Sequence, residues 1–103
     1  MGPSTAFALT LAAHAVFFTG LGLWIILLRR RHRVGIGDGG NRELKRAIRV
    51  HGNFAEWVPM ALLAILVADL RGVDPVIIGV LGAALFAGRA SHAAALSRYR
   101  VAA

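Results

Sequence analysis

Four side chains suited to binding a polar small molecule fall close together: Arg49, His51, Asn53 and Glu56, followed by Trp57 and Pro59. Arginine offers five fixed donors and the asparagine amide two more. Glutamate accepts, and histidine does either. Arg49 and Asn53 add donors beyond what one carboxylate can accept, which fits an anionic or carboxylate-bearing ligand. A second group, Arg89 and His92, lies forty residues on, with Arg98 and Arg100 beyond it. The chain has no cysteine, which excludes disulfides, a protein thiolate nucleophile and cysteine-based metal sites. His51 and His92 have no ligand spacing to support a metal site, so none is expected.

The elements that carry these residues are membrane helices. In a chain of 103 residues, 57% are hydrophobic and the mean hydropathy is +0.65. A soluble domain this small could not hide that much apolar surface. Thr5–Leu28 carries no formal charge and is long enough to cross a bilayer. It lacks a basic segment before its apolar core, so it reads as a retained helix rather than a signal peptide. A second apolar run follows Glu56, and a third starts at Pro75. The expected architecture is all-α: an integral membrane bundle of three transmembrane helices in one domain. Helix one covers about 5–28, a loop 29–42, helix two 43–70 and helix three 75–97.

The net charge of +7 is unevenly spread. Arg29, Arg30, Arg31, Arg33, Arg42, Lys45, Arg46 and Arg49 cluster between the first two apolar runs. Positive-inside logic puts loop 29–46 and the C-terminus in the cytoplasm and the N-terminus outside. Anionic lipid headgroups explain these arginines more simply than nucleic acid does, so no nucleic-acid partner is expected. Gly35–Gly40 reads as a flexible turn, since no strand precedes it to make a phosphate loop. Asn41 is placed to cap helix two, and Asp74-Pro75 to start helix three. Gly79, Ala83 and Ala87 recur every four residues as a close-packing face.

Helical geometry sorts the polar side chains. With Arg49 at 0°, Arg46 falls at about 60°, Asn53 at about 40° and Glu56 at about −20°, while His51 falls at about 200°. The first four share a face. His51 points away, toward another helix or subunit. On helix three, Arg89 and His92 begin a second polar stripe, interrupted by Leu96. Glu56 and Arg89 each sit about 14 Å inside the cytoplasmic end, which predicts an Arg89–Glu56 ion pair. His14 reads as a hydrogen-bonded structural residue, and His32 as solvated among the loop arginines. Pro59 predicts a local kink.

The stretch Arg49-Val-His-Gly-Asn-Phe-Ala-Glu-Trp-Val-Pro59 resembles the second-helix signature of the MAPEG superfamily, the membrane-associated proteins in eicosanoid and glutathione metabolism. Gly88-Arg89-Ala-Ser-His92 resembles its third-helix element, and the loop with Glu-Leu-Lys-Arg-Ala-Ile looks like that of small bacterial members. The resemblance implies a left-handed four-helix bundle that trimerises, with glutathione bound between subunits near the cytoplasmic face of an inner membrane. Ala103 stands where the family's fourth helix should begin, so three of the four helices are expected in this chain. By carry-over, Arg49, Asn53 and Glu56 contact glutathione, together with Arg89 and His92. His51 supports the neighbouring subunit or the tripeptide, and Arg100 stabilises the glutathione thiolate. Leu96 and Trp57 depart from the family pattern, where several catalytic members carry tyrosine.

Two functions follow from this reading. One is a glutathione-dependent transferase or peroxidase acting on a lipophilic electrophile, with glutathione as co-substrate. The other is a non-catalytic MAPEG-like subunit that packs into or docks on a larger membrane assembly. A transporter or channel is weak, because no repeat and no broken helix pair is visible.

Overall fold

The computed structural model describes residues 2–98, with side chains through Ala95. The described residues form three helices: α1 (Thr5–His32), α2 (Arg42–Leu70) and α3 (Pro75–Arg98). Each is long and apolar enough to cross a membrane, with mean hydropathy of 2.1, 1.5 and 1.5 over its most apolar stretch. In hydrocarbon every backbone polar group must be satisfied within the segment, which leaves helices as the spanning element.

The helix ends are fixed by local chemistry. Ser4 caps α1, its hydroxyl accepting from the Phe7 N–H at 3.2 Å. Asn41 caps α2, its amide oxygen accepting from the Leu44 N–H at 2.9 Å. Asp74 accepts from the Val76 N–H at 2.8 Å beside Pro75, which needs no donor at a first helical position. The α1 helix continues past its apolar run through Arg29, Arg30 and Arg31 to His32. Arginine is a good helix former, and cations suit a helix C-terminus, so charge does not end the helix. The turn comes at Arg33, whose φ of 56° is left-handed. Arg29 then reaches back over the loop and donates to the Gly37 carbonyl at 2.8 Å.

His32 corrects one expectation. It is only half-buried, but it has a partner rather than standing among arginines: its Nε2 lies 3.1 Å from Glu43 Oε1. Because α1 runs on to His32, the imidazole stands opposite the first turn of α2, where the carboxylate sits.

Packing joins all three helices pairwise. Leu21 of α1 meets Val50, Phe54 and Val58 of α2 at mid-bundle. Phe7, Ile65 and Ile78 close one end, and Leu28, Leu44 and Ala47 the end beside the arginine loop. His14 is 1% exposed. It sits against the rings of Phe54 and Phe86, with Nδ1 2.7 Å from the Thr10 carbonyl. Its own helix partners Nδ1 alone; Nε2 is buried with no hydrogen-bond partner. Only 17, 17 and 11% of the three apolar stretches are buried, so most apolar surface faces outward, as suits contact with lipid chains.

Thr10 of α1 packs tightly on Gly82 of α3, beside the stripe of Gly79, Ala83 and Ala87 rather than on it. A Cβ on Gly82 would overlap the Thr10 side chain, with Cγ2 at 2.6 Å and Cβ at 2.9 Å. The neighbouring stripe borders an apolar cavity of about 490 Å³ between the same helices. We therefore expect Gly82→Ala to force α1 and α3 apart and to lower stability by about 1–3 kcal/mol. Thr10→Ala in the same chain should recover part of the loss, read as unfolding midpoints in detergent. An unchanged midpoint for Gly82→Ala would remove this contact from the account of the bundle.

Candidate functional site

One face of α2 supplies most of the site. Ile48, Arg49, Gly52, Asn53 and Glu56 project from it into a cavity of about 400 Å³, and His92 of α3 lines the same space. The spacing explains the grouping. Residues 48, 52 and 56 stack at four-residue steps, and 49 and 53 stack beside them. Gly52 has no side chain, and nothing lies within 4 Å of where one would start, so it leaves room rather than closing a contact. Arg49 and Glu56 are exposed, whereas Asn53 and His92 are half-buried. The cavity therefore opens outward past two charged groups of opposite sign, with an amide and an imidazole behind them. It lies toward the end of the bundle that carries the arginine-rich loop.

Arg89 of α3 is brought to this site through Asn53. Its Nη1 donates to Asn53 Oδ1 at 2.6 Å. This replaces the expected Arg89–Glu56 ion pair, which is not formed among the described residues. Matching depths would pair the two charges only if both helices were straight and level. Asn53 lies on the same face as Glu56 and nearly a turn nearer the polar end. A long cationic side chain extends toward that end, and the amide oxygen is the acceptor it meets there. Glu56 is left facing the cavity. Arg89 Nε is buried with no hydrogen-bond partner.

His51 stands apart from this group. Its ring stacks on Phe18 of α1, centroids 4.5 Å apart and planes 22° from parallel. Helical geometry turned it away from Arg49, and the element it meets is a helix of the same chain. The aromatic partner was not legible from α2 alone, because Phe18 is one of several apolar residues of α1. Arg100 lies outside the described residues. Among those described, no three His, Cys, Asp or Glu side chains gather as a group that could hold a metal ion.

Three apolar helices of membrane-crossing length, with a small polar cavity between α2 and α3, define an integral membrane protein of the α-helical class. More particularly, the chain belongs to the MAPEG family, whose model matches residues 7–102. It is also similar to the inner membrane protein YecN of Escherichia coli strain K12. The two are 40% identical over 68 residues, which make up 66% of this chain and 52% of YecN. The protein of the same name from an Escherichia coli O6:H1 strain matches equally, at 40% identity over 68 residues. The chain thus spans about half the length of the curated relatives it matches. No solved structure matches it.

The Arg89–Asn53 contact yields a stability prediction. Asn53→Leu removes the acceptor and leaves a partly buried guanidinium without its partner. We expect a loss of about 2 kcal/mol, read from unfolding midpoints in detergent, and a larger loss than for Glu56→Gln. A larger loss for Glu56→Gln than for Asn53→Leu would mean that Glu56, not Asn53, holds Arg89.

Proposed function

We propose that this chain binds glutathione in the α2–α3 cavity and activates its thiol for attack on a lipophilic electrophile. The observation that carries the reading is the convergence of Arg49, Asn53, Glu56 and His92 on one cavity. Glutathione bears two carboxylates, an ammonium group and a thiol. Arg49 and the Asn53 amide offer donors to a carboxylate, and Glu56 offers a charged acceptor to the ammonium group. Family membership supports the choice of this tripeptide among carboxylate-bearing ligands.

The reactive species in this scheme is the thiolate, which a nearby cation favours over the thiol. Arg100 is assigned that role by its resemblance to the family's arginine. The sulfur then forms a C–S bond with the electrophile, and a leaving group departs with its electron pair. With a peroxide, the thiolate sulfur attacks one oxygen: an S–O bond forms, the O–O bond breaks, and the other oxygen leaves as an alkoxide that takes a proton to become the alcohol. The sulfur is thus oxidised to the sulfenic level as the peroxide is reduced. The bilayer acts as the reservoir for either substrate, since apolar molecules concentrate there. His51, stacked on Phe18, serves the bundle rather than the ligand. In this scheme the arginine-rich loop faces the cytoplasm, the N-terminus lies outside, and three copies assemble.

One observation favours the non-catalytic reading. Arg89 and Asn53 bond to each other without any ligand, as a helix staple in a membrane subunit of a larger assembly would. Ligand binding separates the two readings. Millimolar glutathione should raise the melting temperature of the purified protein in detergent or nanodiscs. Arg49→Ala should weaken binding about tenfold, equivalent to 1.4 kcal/mol, without changing the melting temperature of the unliganded protein. No glutathione response from intact, assembled protein would remove the enzyme reading and leave the staple.

A further inference from the structure

The Arg89 contact determines which way the Asn53 amide faces. A guanidinium has donors and no acceptor. The Asn53 atom 2.6 Å from Arg89 Nη1 is therefore the amide oxygen, and the NH2 group turns to the other side. Asn53 lines the cavity beside Arg49 and Glu56, and Arg89 is not among the residues that line it. An arginine serving only as a staple would gain more from the Glu56 carboxylate, since a charge-assisted bond to an anion is the stronger one. Arg89 holds the neutral amide instead, and the Glu56 carboxylate stays free to face the cavity.

We propose that Arg89 is a positioning residue: it holds the Asn53 carboxamide with its NH2 group toward the cavity, and so sets which ligand groups the cavity accepts. The last torsion of an asparagine is broad and roughly two-fold, so an unheld amide turns over easily. Turned over, Asn53 would present its oxygen and repel a ligand carboxylate. Held by Arg89, it presents donors beside the guanidinium of Arg49, with Glu56 as the opposite pole. The cavity then accepts a carboxylate on one side and a donor such as an ammonium group on the other. Arg89 reaches the ligand only through Asn53. The ligand-binding part of this proposal rests on the glutathione reading, whereas the orientation of the amide does not.

The sequence makes the test tractable, because it has two asparagines, Asn41 and Asn53. Protein labelled with 15N-asparagine gives two side-chain NH2 signal pairs, and Asn53→Asp assigns them by deletion. Without ligand, Arg89→Met should displace or split the Asn53 pair and leave the Asn41 pair in place. Arg89→Lys keeps a charged donor and should keep the Asn53 pair near its wild-type position. With glutathione, Arg89→Met should weaken binding about tenfold, and Arg89→Lys should recover it to within about threefold. Asn53→Asp keeps an oxygen for Arg89 but has no NH2 group, so it should fold normally and bind at least about tenfold more weakly.

An Asn53 pair unmoved by Arg89→Met overturns the proposal, as does wild-type glutathione affinity in Asn53→Asp. If Arg89→Met does not fold, Arg89→Lys decides: a retained Asn53 pair supports the proposal and a displaced one overturns it. Wild-type protein that ignores glutathione counts against the proposed function alone, because the ligand-free spectra still report the amide.

Discussion

A guanidinium on a membrane-crossing helix cannot be left without an acceptor, and much of this bundle follows from how Arg89 meets that demand. Its partner has to come from another helix, because α3 offers few polar groups: around Arg89 it is mostly alanine and glycine. Asn53 of α2 supplies the oxygen at 2.6 Å. That single contact brings the polar face of α2 against α3. It also keeps His92 on the same cavity as Arg49 and Glu56. Polar packing of this kind is specific because the alternatives are poor. In hydrocarbon, an unpaired donor has no water to turn to.

The rest of the molecule accommodates that contact by separating its chemistry along the helix axes. Apolar clusters at three levels hold the helices together. His14 and His51 are absorbed into aromatic surroundings, one beside Phe54 and Phe86, the other on Phe18. The charged loop is tied down by its own contacts, Arg29 to the Gly37 carbonyl and His32 to Glu43. At the opposite end, Asp69 accepts from the Ser4 backbone N–H at 2.7 Å and links α1 to the close of α2. Most of these polar side chains have partners within the protein, and Arg49, Asn53, Glu56 and His92 gather on one cavity toward the arginine-loop end.

Much of the site was legible in the sequence, and the exceptions have a common cause. Helical spacing alone put Arg49, Asn53 and Glu56 on one face and His51 on the other, because both statements concern a single regular element. The pairing of Arg89 was misread because it depends on two elements. Equal depth on two straight helices favours Glu56, whereas the real offset of α2 and α3 brings Arg89 to the amide nearly a turn away. His32 was misread for a similar reason: its partner is decided by how far α1 continues, and three arginines mask that end. Gly52 gave no signal beyond its place between Ile48 and Glu56 in the four-residue series.

What the sequence determined by itself is the set of one-helix properties: three apolar spans, their caps at Asn41 and Asp74, and the sidedness of each polar stripe. These follow from local hydrogen bonding and a fixed angular step, and need no knowledge of neighbours. Only the tertiary structure decided which acceptor Arg89 takes, that His51 meets Phe18, and that Thr10 sits over Gly82 rather than on the small-residue stripe. Each of those depends on the rotation and offset of one helix against another. Side chains from both partners set these together, so neither sequence segment specifies them alone.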